Sequence, residues 1–204
     1  MNYLLFGIFC FMFATPLFSS IEQKSEEKPF FQAALDHPYH VSIGAVLFDR
    51  EGRIACHHFK EVFGHQNIYI LMRESMENEE TPLMALHRGL KEEFGATAQP
   101  LCFLGCLSGS LPDCGFSFEK TTLYIACQLI EWKLEDRDPE DPEASSIIEW
   151  IEPNHLIALM SSQGLRFPQR VDADESEIIR RAIQSRALKK ASSGLKKNVS
   201  GLIP

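Results

Sequence analysis

Short runs of β-type residues separated by turn formers organise the middle of the chain. Val41 to Phe48 is the first, ended by Asp49-Arg50-Glu51-Gly52, a natural turn. Ile54 to Phe59 returns as the second strand of a hairpin, and Asn67 to Met72 gives a third, with Ile68, Ile70 and Met72 on one face. Leu101 to Leu107 and Thr121 to Ile130 are two more strands. Between them Ser108 to Glu119, rich in Gly, Ser, Pro and Asp, is expected to be a loop. Ile147 to Ile151 closes the set, with Trp150 as a packing anchor.

Three segments carry helical patterns instead. Thr81 suits an N-cap and Pro82 a first helical residue. Leu83, Leu86, Leu90 and Phe94 then recur at helical spacing as a buried stripe, and Gly95 stops the helix. Glu152-Pro153 opens a second helix over Asn154 to Met160. Asp174 to Lys189 forms a third, acidic at its start and basic at its end, as the helix dipole favours. Asp136 to Glu143 is acidic and broken by two prolines, which excludes a regular element.

The chain of 204 residues is 45% hydrophobic and 24% charged, a globular composition with a single domain's worth of core. Its net charge of −8 argues against a nucleic-acid partner, which needs a basic face for phosphates. At the N-terminus, Leu4 to Phe13 is almost unbroken apolar sequence, too short to span a bilayer, and Pro16 interrupts its extension. Residues 1–20 are therefore expected to be an export signal, although no Lys or Arg precedes the apolar run; a short anchor is the alternative. Location follows from that choice: periplasmic or secreted with a signal, otherwise cytoplasmic or membrane-anchored, with membrane contact only if the segment is retained. Residues 21–38 read as a charged linker, 39–190 as the folded domain and 191–204 as a flexible tail. Cys102 and Cys106 share a strand face and are expected to be buried small hydrophobes; no CxxC pair supports zinc. His57 and His58 alternate across a strand, an arrangement poor for metal binding, with one of the two at the surface.

Around the first helix the pattern Glu80-Thr81-Pro82, Arg88, Leu90, Glu92-Glu93, Gly95-Ala96 resembles the Nudix signature. That signature runs Gly, five residues, Glu, seven residues, Arg-Glu, aliphatic, any residue, Glu-Glu, any residue, Gly, aliphatic. Two positions depart from it: Glu74 stands where the opening Gly belongs, and Gly89 where the Glu after Arg belongs. The resemblance covers roughly Tyr39 to Met160. It implies an α+β fold, a Nudix-type α/β/α sandwich around a mixed β-sheet.

The resemblance also implies roles. Glu92 and Glu93 are the expected metal ligands for Mg2+ (or Mn2+), with Glu93 on the Gly89 face, and both are the catalytic candidates. Glu80 and Arg88 are expected to pair and support the loop before the helix. A further ligand from a later loop is expected at Glu119, then at Glu140 or Glu143. Arg73, near the start of the box, can meet a substrate phosphate, with pairing to Glu74 or Glu77 as the alternative. Gly89 removes a carboxylate and costs about 1 kcal/mol inside a helix. Two functions stay open: a metal-dependent hydrolase cleaving a diphosphate linkage in a small nucleoside diphosphate derivative, or a catalytically impaired module that binds such a ligand.

Overall fold

A computed structural model describes residues 31–34, 39–62, 64–112 and 117–199. The proposed leader, most of the linker and Cys114 lie outside the described residues. Seven strands form one mixed sheet: β1 (Tyr39–Phe48), β2 (Ile54–Val62), β3 (His65–Ile70), β4 (Met72–Ser75), β5 (Ala96–Pro112), β6 (Ser117–Trp132) and β7 (Ile147–Ile151). The order is β3-β2-β1-β6-β5, with β4 pairing β1 and β7 pairing β2. β1 runs parallel to β6 and antiparallel to β2 and β4, so it is the central strand.

Strand alternation sends β1 side chains to two cores. Ile43, Ala45 and Leu47 meet Leu86, Leu90 and Phe94 of helix α1 (Pro82–Phe94). Val46 and Phe48 meet Leu156 and Met160 of α2 (Pro153–Arg166) and Ile178, Ile179 and Ala182 of α3 (Ser176–Val199). Helices thus cover both faces of the sheet, the α/β/α sandwich that the resemblance implied. α3 continues past Lys189, through most of the segment expected as a tail. Among the described residues no helix is long and apolar enough to cross a membrane.

Three elements differ from the sequence expectation. Asn67 to Met72 is two strands rather than one. β3 pairs with β2 and β4 with β1, so the chain changes partner at Leu71. The Ser108 to Glu119 loop is largely a hairpin, paired out to Pro112 and Ser117. Its short polar residues are cross-strand partners: Ser108 Oγ meets Thr121 Oγ1 at 2.8 Å and Ser110 Oγ meets Ser117 Oγ at 2.7 Å. Register shifts in β5 turn Cys106 outward, where strict alternation buried it.

α1 begins and ends where expected. Thr81 Oγ1 accepts from the Met84 N–H at 3.3 Å, and Gly95 closes the helix at φ 63, the left-handed region that favours glycine. The buried face, however, is rotated. Leu83 is exposed, whereas Ala85, Gly89 and Glu93 join Leu86, Leu90 and Phe94 inside. Gly89 is the reason. A Cβ there would lie 2.5 Å from Glu74 Cβ and 3.0 Å from Met72 Sδ, so only glycine lets β4 approach the helix this closely.

Candidate functional site

Arg88 is the hub of the polar side of α1. Its Nε and Nη2 donate to the two oxygens of Glu80, each at 2.8 Å, in a fork-to-fork pair. The same Nη2 donates to the Ser75 carbonyl at 2.9 Å, tying the helix to the end of β4. Nη1 lies 3.1 Å from Glu74 Oε1 and 3.3 Å from Glu92 Oε2. Glu80 and Arg88 are therefore paired as the resemblance implied, Glu92 lies beside them, and Glu74 joins from the position where the signature has glycine.

Glu93, one turn beyond Gly89, points inward and is 2% exposed. Its Oε2 lies 2.7 Å from His57 Nε2, while His57 Nδ1 lies 2.7 Å from Ser146 Oγ. Arg137 Nη2 donates to the same Ser146 hydroxyl at 2.9 Å and Nη1 donates to the Ser146 carbonyl at 2.8 Å. Guanidinium only donates. With Glu93 ionised, protons therefore point one way along the chain: Arg137 to Ser146, Ser146 to His57, His57 to Glu93. Burial pushes the imidazole down to about 3, so it is neutral when it holds this carboxylate. His58 lies on the opposite face, with Glu149 Oε1 at 2.7 Å from its Nδ1 and Asn67 Oδ1 at 3.1 Å from Nε2. Neither histidine is at the surface. The pairing of β2 with both β3 and β7 covers them, which single-strand alternation cannot show.

The acidic segment comes closer than its composition suggested. Burial and the fields of Glu93 and Asp141 push the Glu143 carboxyl up, while burial and Asp141 do the same to Glu93. Burial first, then Glu93, pushes Glu74 up to about 8. Arg137 anchors this segment, donating also to the Glu143 carbonyl. Glu140 is exposed. Glu119 is exposed too and is not brought to the cluster. It faces Tyr39 on β1, whereas Glu74 faces Ile43, about 13 Å farther along the strand. Arg73 points to the other side of the sheet, where its Nη1 meets Asp172 Oδ2 at 3.1 Å and its Nε lies 3.8 Å from Glu175 Oε1. Buried among these acids, it is not presented to a ligand.

Among the described residues, no three His, Cys, Asp or Glu side chains close into a ready metal cage. The donor set nonetheless fits a hard divalent cation in kind. It consists of carboxylates, and two of them, from β4 and α1, converge on one cationic atom, Arg88 Nη1. Magnesium typically takes only one or two protein carboxylates and completes its shell with water and substrate phosphates, so a partial cage suffices.

The carboxylates give a measurable pH dependence. Glu74, Glu93 and Glu143 hold protons in the folded state at pH values where an unfolded carboxyl, near 4.5, has lost them. Stability is then lost as pH rises from about 4.5 toward 8. His57 and His40, both pushed down to about 3, act oppositely, but only below their unfolded value of 6.5. Of these five groups, only the carboxylates change protonation between pH 6.5 and 8. In EDTA the melting temperature is expected to fall across that window by scanning calorimetry. A flat or rising profile contradicts the arrangement.

Residues 38–171 match the family model described as NUDIX domain. The fold is similar to a solved structure, the NUDIX hydrolase from Nitrosomonas europaea. That likeness has 13% identity and a TM-score of 0.51, covering 74% of this chain and 89% of that one. A second solved structure, the MutT protein from Methanosarcina mazei Go1, aligns at 15% identity and a TM-score of 0.48, covering 75% of this chain and 99% of that one. A search of curated proteins gave no match.

Proposed function

The chain belongs to the Nudix family, and on that premise we propose that it is a divalent-metal-dependent hydrolase of diphosphate linkages in nucleoside diphosphate derivatives. The observation that carries this reading is the Arg88 hub. A site released from chemistry has no need to keep Glu80 and Glu92 around one guanidinium, beside a carboxylate that enters from β4. A bound Mg2+ or Mn2+ supplies charge neutralisation at the diphosphate and a lowered pKa for the attacking water. The chain's own residues supply orientation. His57 holds Glu93 in one direction, and Arg88 holds the Glu80 loop against α1. Hydrolysis forms one P–O bond from water and breaks the bond to the bridging oxygen, leaving two phosphate-bearing products.

The overall negative charge makes a cation necessary for an anionic substrate to approach these carboxylates. Export through Leu4 to Phe13 is part of the proposal and implies a substrate met outside the cytoplasm. Gly89 is the observation that favours a binding module instead. A screen of phosphate-release assays over nucleotide sugars, ADP-ribose, dinucleotides and nucleoside triphosphates, with Mg2+ or Mn2+, separates the two. Metal-dependent release from at least one class is expected. Calorimetric binding of a nucleotide without release from any class supports the module.

A further inference from the structure

We propose that Glu74 supplies the carboxylate that α1 lacks at Gly89, so that the two departures from the signature are a single reciprocal exchange. This rests on the metal-dependent reading above. The geometry is specific. A side chain built at position 89 would run into Glu74, its Cβ only 2.5 Å from Glu74 Cβ and 3.0 Å from Cγ. The Glu74 stem thus fills the volume that a residue at 89 would use, from the opposite direction. Its carboxylate lies beside Arg88, with Oε1 3.1 Å from Nη1, and Glu92 Oε2 is 3.3 Å from the same nitrogen. β4 alternation places Glu74 on the same face as Met72, which packs in the α1 core, while Arg73 goes to the other face.

A second observation is the half-buried state of Glu74. Its side chain is 14% exposed, yet it shares Arg88 with Glu80 and Glu92 and stands in the field of Glu93. One guanidinium does not offset that many acids. Holding Glu74 ionised there without a further cation is unfavourable, and a divalent ion held by Glu74 with Glu92 or Glu93 would favour the ionised form. The exchange also accounts for Gly89, whose cost in the helix is offset by the close approach of β4.

The test is a swap cycle read by Mn2+ binding, with free Mn2+ followed by electron paramagnetic resonance, and by thermal unfolding in EDTA. Wild type, E74Q, G89E and the double variant E74G/G89E are compared. E74Q keeps the volume and is expected to fold, with Mn2+ affinity weakened by about 10-fold or more. G89E alone is expected to melt lower than wild type, because both side chains need one space. E74G/G89E is expected to recover both melting temperature and Mn2+ affinity, a positive coupling between sites that touch. E74Q binding Mn2+ as wild type does overturns the proposal, since a merely space-filling Glu74 changes melting and not metal affinity. A folded double variant that fails to regain affinity overturns it as well. Wild type that binds no Mn2+ sinks the hydrolase reading along with this one, whereas wild-type binding with an unaffected E74Q sinks this one alone.

Discussion

Glu93→Gln is expected to lower diphosphate hydrolysis by at least about 100-fold, the lower end of what a positioned proton-transfer or metal-ligating group contributes. The substitution keeps side-chain volume and an oxygen able to accept from His57 Nε2, now 2.7 Å from Glu93 Oε2. Buried apolar neighbours are left in place, Phe94 among them, whose ring stands edge-on to His57 at 4.7 Å. What disappears is the negative charge. The folded state should not suffer: a buried carboxyl pushed up by burial and Asp141 is costly to ionise, so Gln should match or raise the melting temperature above pH 7 in EDTA. Activity and stability therefore move apart. Steady-state phosphate release gives the first and differential scanning fluorimetry the second. Turnover within a factor of two of wild type would remove Glu93 from the site.

Much of this site was legible in the sequence because its parts are local. α1 runs from Pro82 to Phe94 as the cap, the proline and the terminal glycine indicate, and the Glu80–Arg88 pair is the one that the resemblance implied. The fold class was legible through the same helix, because its pattern resembles the Nudix signature and that resemblance implied helices on both faces of a mixed sheet. What stayed hidden is tertiary. His57 was identified as one of an alternating pair, but nothing along β2 says that the α1 face opposite it carries Glu93, or that β7 brings Ser146 alongside. The acidic stretch looked solvated by composition, yet Arg137 folds it back so that Asp141 and Glu143 lie in the field of Glu93. Glu74 was visible as a mismatch to the signature and as an alternative partner for Arg73. Its meaning depends on the distance to Gly89, a quantity between a strand and a helix that no spacing encodes. Leu83 shows the converse, since its helical spacing is good but the close approach at Gly89 turns the helix and leaves it exposed.

Arg73→Met is expected to destabilise the protein by about 3–5 kcal/mol, the range for removing one partner of a buried ion pair. The guanidinium is enclosed between Asp172 and Glu175, with Nη1 donating to the Asp172 carbonyl at 3.2 Å and to its carboxylate at 3.1 Å. Asp172 keeps Arg170, whose Nε and Nη2 donate at 3.0 and 2.9 Å. Among the described residues Glu175 has no such second cation. Fully buried, it accepts from the Leu71 N–H at 2.8 Å and from the Tyr124 hydroxyl, and burial already pushes its carboxyl above the ordinary range, with Arg73 pulling it back. Losing Arg73 leaves Glu175 to take up a proton on folding. A group whose folded value is raised binds more protons folded than unfolded, so the variant's deficit should grow as pH rises from 5 to 8 and shrink as it falls. Adding Glu175→Gln to Arg73→Met should recover part of the loss, because a neutral amide needs no countercharge. Urea unfolding at pH 5, 6.5 and 8 measures all three effects. A role in holding substrate phosphate predicts the reverse, a raised KM with unfolding unchanged. The enclosure of Arg73 by two carboxylates on the face away from α1 favours the structural outcome.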